Sequence, residues 1–201
     1  MTESLKDVSA IILAGGVSSR MGTDKAELAW NGVTLIEHQV KKMLSLGIDD
    51  VILSGYKKPI SGTRCVSDVY PGKGPLGGIH TGLLAARHPH CLVLSVDVPL
   101  VPEDALASLI DAHIAGESVI TVLSHKGRTE PLIGIYERGL SALAEEILQS
   151  DNTSVRALFE KIGAEAFEYA GDEVLLLNCN TPTEYSTLRQ YTEQTEKPPH
   201  F

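Results

Sequence analysis

Apolar and amphipathic segments alternate along most of this chain. Short apolar runs occur at residues 9–13, 51–55 and 91–96, and their length and branched side chains are those of buried strands. Between the first two runs, residues 34–44 space their apolar side chains three and four positions apart and stop at Gly47, which predicts an amphipathic helix. This order of elements is typical of an α/β protein with a parallel sheet.

The alternation continues towards the end of the sequence. Strands are predicted at residues 64–67, 118–123, 132–136 and 173–177. Helices are predicted from the glycine-rich loop at 70–78 through residues 86–87, at 103–113, 140–148 and 154–162, and after Pro182. We predict a single-domain three-layer sandwich over residues 1–192, with a mostly parallel, Rossmann-like sheet and helices on both faces. Residues 193–201 are predicted to form a flexible tail.

Composition narrows the classes of function. The net charge of −9 and the pI near 5.2 exclude nucleic acid and anionic membranes as expected partners, because both require a basic surface. Cys65, Cys91 and Cys179 show no metal-binding or disulfide spacing, so we expect buried thiols in a reducing compartment. The first residues contain no apolar signal region, and we expect a cytoplasmic protein.

Residues 13–25, LAGGVSSRMGTDK, combine a glycine turn with two cations. Gly15 and Gly16 lack Cβ atoms, so a base or a phosphate can approach the backbone closely. Arg20 offers a planar fork for phosphate oxygens, and Lys25 offers a point charge on a long stem. The spacing differs from a Walker loop, which places lysine directly after its second glycine. The stretch therefore predicts a phosphate loop of another kind.

Two acids follow predicted strands. Asp68 comes after the strand at residues 64–67, and Asp97 comes after the apolar strand at residues 91–96. The carboxyl ends of parallel strands meet at the ligand crevice of an open sheet, so both acids are candidates for the site. Asp97 is the predicted Mg²⁺ ligand, because Mg²⁺ prefers one or two carboxylates together with phosphate oxygens. Each could instead be a helix-capping or solvated acid.

A second glycine-rich loop carries the strongest competing signal. Gly72, Gly74 and Gly77 match the dinucleotide-binding fingerprint, and Asp97 follows at the distance of a ribose-binding acid. Pro71 and the proline before Leu76 remove N–H donors where a pyrophosphate would need them. An NAD-dependent dehydrogenase therefore remains a less favoured alternative.

The last third of the chain supplies polar candidates at predicted helix starts. Arg156 follows a Thr-Ser pair that can cap a helix, and an anion could bind there. Asn178 and Asn180 follow the predicted strand at residues 173–177, and their amides both donate and accept hydrogen bonds. Asn180 is equally suited to cap the final helix.

With these residues in place, the sequence resembles the molybdenum cofactor guanylyltransferases, within the nucleotide-diphosphate-sugar-pyrophosphorylase-like nucleotidyltransferases. The resemblance covers nearly the whole chain and rests on five motifs in order. These are LAGGVSSRMGTDKA, Asp68 ahead of GPLGG, then SVDVPLVP, EPLIGIY and NCNTPTEY.

The resemblance implies a Mg²⁺-dependent transfer of GMP from GTP to molybdopterin, with release of pyrophosphate. It places GTP against Leu13, Ala14, Gly15 and Gly16, the phosphates on Lys25, and the nucleotide on Asp68. Asp97 would contact both Mg²⁺ and the nucleotide, while Arg156, Asn178 and Asn180 would face the pterin. It also implies transient contact with cofactor-synthesis proteins or molybdoenzymes.

One position departs from the family pattern. Where the guanylyl branch often has asparagine after the second strand, this chain has Ser54, which we take as a nucleotide contact. Our prediction assigns catalysis to Asp97, Lys25 and Arg20. Two further alternatives remain open: a cytidylyltransferase acting on a pterin, isoprenoid or sugar phosphate, and a carrier that binds GTP or the pterin without chemistry.

Overall fold

A seven-stranded sheet forms the middle layer of the computed structural model, which describes residues 3–15 and 24–195. Seven strands build the sheet and two more form a separate hairpin. In chain order they are β1 (Val8–Leu13), the hairpin strands β2 (Ala29–Trp30) and β3 (Val33–Thr34), β4 (Asp50–Ser54), β5 (Thr63–Val66), β6 (His90–Ser95), β7 (Ile120–His125), β8 (Arg128–Glu137) and β9 (Glu165–Glu168).

The strand order across the sheet is β5-β4-β1-β6-β8-β7-β9. β1 pairs in parallel with β4 and with β6, and only β8 among these strands runs antiparallel to its neighbours. The predicted mostly parallel sheet is therefore confirmed. Since β1, β4, β5 and β6 run together, their carboxyl ends lie along one edge of the sheet.

Within the described ranges, six α-helices cover the sheet: α1 (Leu35–Ser45), α2 (Pro75–Ala85), α3 (Glu103–Ala115), α4 (Ser141–Leu148), α5 (Val155–Ile162) and α6 (Pro182–Thr195). A capping box starts α1, in which Glu37 N–H donates to the Thr34 hydroxyl and the Glu37 carboxylate accepts from Thr34 N–H. The start of α2 has proline in its first turn, where no intrahelical N–H bond is lost.

Alternation along β1 divides the core into two layers. Ala10 and Ile12 pack on one face with apolar residues of α1, α3 and α6, whereas Ile11 and Leu13 pack on the other face with α2, α4 and α5. Every residue of β1 is buried, as expected of a central parallel strand. The three-layer arrangement with helices on both faces is thus confirmed.

The prediction of a strand at residues 173–177 is wrong. This segment contains a 3₁₀-helix at Glu173–Leu176, and its entry is capped by Asp172, whose side chain accepts from Val174 N–H. The strand of this region is β9, which lies earlier and pairs with β7. A short apolar run does not distinguish a strand from a turn that buries one side chain, and here Leu176 is that side chain.

Cysteine burial agrees with expectation at two of three positions. Cys91 and Cys179 are buried, but Cys65 is exposed, because it lies on β5 at the edge of the sheet. In the part of the chain that the structure describes, no helix has both the length and the apolar character needed to cross a membrane. The domain boundary at residue 192 stays a prediction: α6 continues to Thr195, and the remaining tail lies outside the described residues.

Candidate functional site

The turn after β1 is fixed by its two neighbouring strands. Leu13 carbonyl accepts from Val96 N–H at 3.1 Å, while Ala14 N–H and Gly15 N–H both donate to Ser54 carbonyl at 3.0 and 3.2 Å. These bonds continue the sheet ladder past the last residue of the strand. The turn therefore leaves the sheet between the ends of β4 and β6.

Two glycines let the chain cross itself at this turn. Gly55, which has a positive φ of 79°, would place an added Cβ only 2.5 Å from Gly15 Cα. Gly15 would in turn place a Cβ 3.2 Å from Gly55 Cα. Neither position has room for a side chain without moving backbone, so the pair fixes how closely the turns after β1 and β4 approach.

Lys25, Asp97 and Asn180 meet at the carboxyl end of β6. Lys25 Nζ donates to Asp97 Oδ2 at 3.2 Å and to Asn180 Oδ1 at 2.5 Å. The other carboxylate oxygen, Asp97 Oδ1, accepts from Ser95 Oγ at 2.5 Å. The side chains of Lys25 and Asp97 are 20% and 16% exposed, so the pair is accessible from solvent and only partly screened by it.

Local hydrogen bonds bring these three distant residues together. A 3₁₀-helix at Lys25–Glu27 begins with Asp24 as its cap, which sets the direction of the lysine. Cys179 N–H donates to Asp97 carbonyl at 2.7 Å, so the segment before α6 is tied directly to the acid. The cap of α6 is the Thr181 hydroxyl, which accepts from an N–H in the first turn. Asn180 is thus not the cap and points its amide at Lys25.

Ser54 and Asp68 form a second polar pair on the other side of the β1 turn. Ser54 Oγ lies 3.2 Å from Asp68 Oδ1 and 3.1 Å from Gly78 carbonyl at the start of α2. The serine is buried and the aspartate is half-buried. Since β4 and β6 flank β1, the two polar groups are separated by two strand spacings, about 10 Å. That span suits a nucleotide lying across the turn.

The loop that carries Asp97 is held by polar side chains from α1. Gln39 Nε2 donates to the carbonyls of Ser95 and Val98 at 3.3 and 3.1 Å. Lys42 Nζ donates to the carbonyls of Pro99 and Val101 at 2.8 and 2.7 Å. We call Gln39 and Lys42 the α1 clamp. Because they occupy four carbonyl groups on both sides of the acid, they restrict the backbone of the loop.

Burial changes the charge balance of the clamp. The Lys42 side chain is almost fully buried, and desolvation lowers the pKa of its amine to about 8. Burial also lowers the pKa of His38, whose Nε2 lies 3.0 Å from Pro99 carbonyl. The charge of Glu103, at the start of α3, raises the pKa of Lys42 and so opposes part of the effect of burial. The ammonium form has three N–H groups and the neutral amine has two, so either form can donate to both carbonyl partners.

Arg156 and Asn178 line a cavity next to the Asp97 loop. The cavity has a volume of about 340 Å³, and its walls also include Ser95 and Val98. Arg156 is exposed on the first turn of α5, which begins at a Ser154 cap. The structure therefore places Arg156 and Asn178 at a cavity that Ser95 and Val98, on either side of Asp97 in the sequence, also line. It places Asn180 within the lysine and aspartate cluster itself.

Two predicted site residues lie outside the described part of the chain: Gly16 and Arg20. The competing glycine motif does not have the context of a dinucleotide site. β5 ends at Val66, six residues before Gly72, and α2 then begins with Pro75, which has no N–H. The strand, tight turn and helix that the fingerprint needs are not contiguous here.

Sequence reasoning missed Ser95, Gln39 and Lys42. Gln39 and Lys42 carry a readable signal, because they fall on the buried face of an amphipathic helix where apolar residues are expected. Nothing in the sequence shows which carbonyl groups they contact. Ser95 is the last residue of β6 and lies two residues before Asp97, a spacing that brings side chains to the same side of an extended chain. That spacing could have identified it.

The surroundings of Asp97 fit a hard divalent cation. Among the described residues, each carboxylate oxygen has one hydrogen-bond partner, although a carboxylate has about four acceptor positions. The neighbouring side chains contribute oxygen from a hydroxyl and an amide, and Mg²⁺ selects oxygen ligands. In the described ranges no trio of histidine, cysteine or acidic side chains surrounds Asp97. One carboxylate with substrate phosphates and waters is a usual Mg²⁺ set.

Cysteine chemistry is excluded at this site. Cys179 lies next to Asp97 in the structure, and its thiol is buried. Burial raises the pKa of this thiol to about 11. A protonated thiol is a poor nucleophile. The chemistry available here is therefore electrostatic: a fixed ammonium, an accessible carboxylate and polar groups on both sides of a backbone turn.

Comparison with known proteins places this geometry in a family. The model of the MobA-like NTP transferase domain matches residues 10–166. A probable molybdenum cofactor guanylyltransferase of Peptoclostridium acidaminophilum is 35% identical, covering 94% of this chain and 91% of the relative. The molybdenum cofactor guanylyltransferase of Pseudomonas fluorescens is also 35% identical, covering 87% of this chain and 90% of the relative.

A solved structure has the same fold. It is the molybdopterin-guanine dinucleotide biosynthesis protein A of Archaeoglobus fulgidus, with a TM-score of 0.77 and 21% sequence identity. The match covers 93% of this chain and 99% of the solved chain. At that identity the likeness establishes the architecture alone.

Proposed function

This chain belongs to the family of MobA-like NTP transferases, and we propose that it transfers GMP from GTP to the molybdopterin form of the molybdenum cofactor. The products would be the guanine dinucleotide form of the cofactor and pyrophosphate. The observation that carries the proposal is the cluster of Lys25, Asp97 and Asn180 beside the β1 turn. It offers a cation and an accessible acid that could hold a metal ion, in a chain whose relatives are named for this reaction.

The reaction is an in-line displacement. A phosphate oxygen of the acceptor forms a bond to the α-phosphorus of GTP, while the bond from that phosphorus to the bridging oxygen breaks. The leaving pyrophosphate keeps the electron pair. Because the attacking oxygen is already an anion, the protein needs no strong general base. Its work is to align the partners and to offset the charge that grows on the phosphate oxygens.

Lys25 is the residue that meets the phosphates. Its ammonium sits on a capped 3₁₀-helix and is held between Asp97 and Asn180. GTP phosphates would take the place of one of these acceptors without moving the helix. A pre-positioned cation of this kind requires little reorganisation during the reaction. Arg20 stays a predicted second cation.

Asp97 would hold the Mg²⁺ ion that we propose as cofactor. When bound, the ion would supply positive charge to the phosphate oxygens. Ser95 fixes one carboxylate oxygen and Cys179 N–H fixes the backbone, so the acid is oriented before any ligand arrives. The α1 clamp restrains the same loop from its other side. Asp97 is therefore held in place while its side chain stays accessible.

Guanine selection would depend on carbonyl groups of the β1 turn. Ala14 N–H and Gly15 N–H are already bonded to Ser54 carbonyl, so they are poor candidates for reading the base. The carbonyl groups of the turn can accept from the N1–H and 2-amino groups of guanine. Cytosine lacks those donors, and unpaired buried partners disfavour the wrong base. Gly16 remains part of this predicted contact.

The acceptor would bind in the cavity beside the Asp97 loop. The cavity beside Ser95 and Val98 presents the Arg156 guanidinium and the Asn178 amide, which suit a phosphate and the polar edge of a pterin. Since GTP is the donor, we expect the reaction to take place in the cytoplasm. We also expect transient contact with proteins that deliver or receive the cofactor.

Pyrophosphate release tests the proposal. The purified chain is mixed with Mg²⁺ and GTP, with and without molybdopterin cofactor, and CTP replaces GTP in a parallel series. We expect release only with the acceptor present, and at least about tenfold faster with GTP than with CTP. Binding of GTP without release would indicate a carrier. Equal or faster release with CTP would contradict the guanine assignment.

A pair of lysine variants connects the result to the site. Lys25→Met should lower kcat/KM for GTP by about 10²-fold or more, because a charge-stabilising donor is lost. Lys58→Met is the matched control: this lysine also pairs with an acid, Glu27, at 2.8 Å, but on the exposed surface. The control should keep the wild-type rate. Similar losses in both variants would remove Lys25 from the mechanism.

A further inference from the structure

A second group of polar side chains lies at the opposite end of the sheet from Asp97. His90 is the first residue of β6 and stands directly across from Glu137, the last residue of β8. His113, from the last turn of α3, completes the group. In residues 3–15 and 24–195 this is the one place where three such ligand atoms lie within 4.8 Å of one another.

The three side chains converge on one carboxylate oxygen. Glu137 Oε1 lies 2.6 Å from His90 Nδ1 and 3.0 Å from His113 Nε2. The two imidazole rings are perpendicular neighbours with centroids 5.4 Å apart. A carboxylate can only accept, so both ring nitrogens donate to the same oxygen. The site therefore presents two nitrogens and an oxygen to one small volume.

We propose that His90, His113 and Glu137 form a binding site for a divalent transition-metal ion, with Zn²⁺ as the fitting example. Two imidazoles and one carboxylate are a set that zinc proteins use when a fourth position is left for water. The set contains two imidazole nitrogens, whereas the candidate ligand atoms around Asp97 are oxygens, which suit Mg²⁺. The two ends of the sheet thus select different classes of metal.

The present distances need only small changes to hold the ion. Bonds of about 2.0–2.2 Å in a tetrahedral arrangement set neighbouring ligand atoms about 3.3 Å apart. The two nitrogen-to-oxygen distances are 2.6 and 3.0 Å, so each of these two pairs opens by less than about 1 Å. The two ring nitrogens lie within 4.8 Å of each other, so that pair closes by at most about 1.5 Å. All three residues are on regular elements of the core, which keeps the site preformed.

His113 is oriented by a further contact. Its Nδ1 lies 2.9 Å from the Thr121 hydroxyl on β7, and this contact directs Nε2 towards Glu137. When a metal takes Nε2, the proton of the neutral ring moves to Nδ1, where the Thr121 oxygen accepts it. Contacts of this kind fix the ring and the tautomer in metal sites. If the site binds metal, loss of the Thr121 contact should therefore weaken that binding.

Exposure leaves a route for the ion and room for water. His113 is 1% exposed, whereas His90 and Glu137 are 24% and 27% exposed. The buried histidine anchors the site, and the two outer ligands face solvent. One strand length, about 20 Å, separates this group from Asp97. We therefore expect binding here to be independent of the nucleotide reaction.

Direct metal binding is the test. Protein stripped with chelator is titrated with Zn²⁺ by calorimetry, and with Co²⁺ while visible absorption is recorded. We expect one equivalent to bind with the absorption of a four- or five-coordinate cobalt centre. His90→Gln and Glu137→Gln should each weaken Zn²⁺ binding at least about 100-fold, and Thr121→Val about tenfold, as a lost outer contact does.

Two control variants distinguish binding at these three residues from binding elsewhere on the protein. His88→Gln removes another histidine of the same region, which pairs with Asp49 at 3.1 Å, and it should bind Zn²⁺ as the wild type does. Asp97→Asn should also leave Zn²⁺ binding unchanged. Because His90 is the more exposed of the two histidines, we expect His90→Gln to fold as the wild type does. Thermal unfolding of both proteins checks this. Absence of stoichiometric binding, or equal affinity in His90→Gln and wild type, would overturn the proposal.

Discussion

Asp50 and Asp97 are aspartates at opposite ends of the same sheet, and their hydrogen bonding differs. Asp50 is 1% exposed and accepts from Ser9 Oγ at 2.6 Å, from Arg87 N–H at 2.9 Å, and from Arg64 at 2.5 and 3.1 Å. Asp97 is 16% exposed and, among the described residues, has one hydroxyl and one ammonium partner. Asp50 is saturated, in that donors of the protein occupy its acceptor positions, whereas Asp97 keeps acceptor positions for a ligand.

The comparison separates stability from function within one residue type. A saturated buried acid stabilises the fold, because removing it leaves donors without partners. An open acid contributes less to the fold and can bind metal or substrate. Variants of the two acids, and of residues around the candidate site, should therefore differ in whether they change stability or activity.

The largest effect is expected for Asp97→Asn. This change keeps the shape and removes the charge, so the rate of nucleotidyl transfer should fall about 10²–10³-fold. The free energy of unfolding should change by about 1 kcal/mol or less, because the amide oxygen can still accept from Ser95 and only the contact with Lys25 is weakened. Steady-state kinetics and urea unfolding measure the two quantities. A variant with near wild-type activity would remove the acid from the site.

Asp50→Asn should have the opposite result. We expect a loss of about 2 kcal/mol in the free energy of unfolding, because charge-assisted bonds from Arg64 and Arg87 N–H are weakened. Activity per folded molecule should stay at the wild-type level. An activity loss as large as that of Asp97→Asn would abolish the contrast between the two acids.

The same variant has a pH signature. Burial alone would raise the pKa of Asp50, but hydrogen bonds from Ser9, Arg87 N–H and Arg64 lower it below its usual value. The folded state therefore holds fewer protons than the unfolded state at acid pH, and wild-type stability falls as the pH drops below about 4. Asp50→Asn should lack this part of the acid dependence in unfolding curves.

Lys42→Met tests whether the restraint of the Asp97 loop matters. Its carbonyl partners lose their donors while the volume stays similar, so kcat should fall about tenfold with little change in KM for GTP. Lys41→Met is the matched control, because this neighbouring lysine is exposed. If both variants retained the wild-type kcat, the loop would need no clamp.

Unfolding measured against pH tests the buried amine itself. Burial lowers the pKa of Lys42 to about 8, so between about pH 8 and 10.5 the unfolded chain binds more protons than the folded one. Stability in that window rises with pH by at most about 1.4 kcal/mol per unit from this group. Lys42→Met should lack the rise, whereas Lys41→Met should keep it.

The smallest effect is expected for Ser54→Ala. The hydroxyl shares its hydrogen between Asp68 and Gly78 carbonyl, and losing it should raise KM for GTP about three- to fivefold. kcat should stay nearly constant, since the serine is on the far side of the β1 turn from Asp97. A fall in kcat with unchanged KM would place Ser54 closer to the chemistry than we propose.

Sequence patterns predicted the fold well where periodicity spans a whole element. The strand at residues 9–13 and the helix at residues 34–44 became β1 and α1 with shifts of about one residue. They failed at residues 173–177, where a few apolar side chains serve a 3₁₀-helix. The sequence patterns also missed the short strand β9. Its residues are mostly exposed and do not alternate between apolar and polar over a recognisable length.

The sequence by itself determined that Asp68 and Asp97 follow strands whose ends share one edge, because strand direction follows from local periodicity and connection rules. Only the tertiary structure decided that Lys25 meets Asp97 and Asn180, which are 72 and 155 residues away in the chain. It also decided that Asp50 is saturated and Asp97 is open. Local patterns record which face of an element is buried. The number of partners that an acid finds depends on which loops and helices pack around it, and that is fixed by the whole fold.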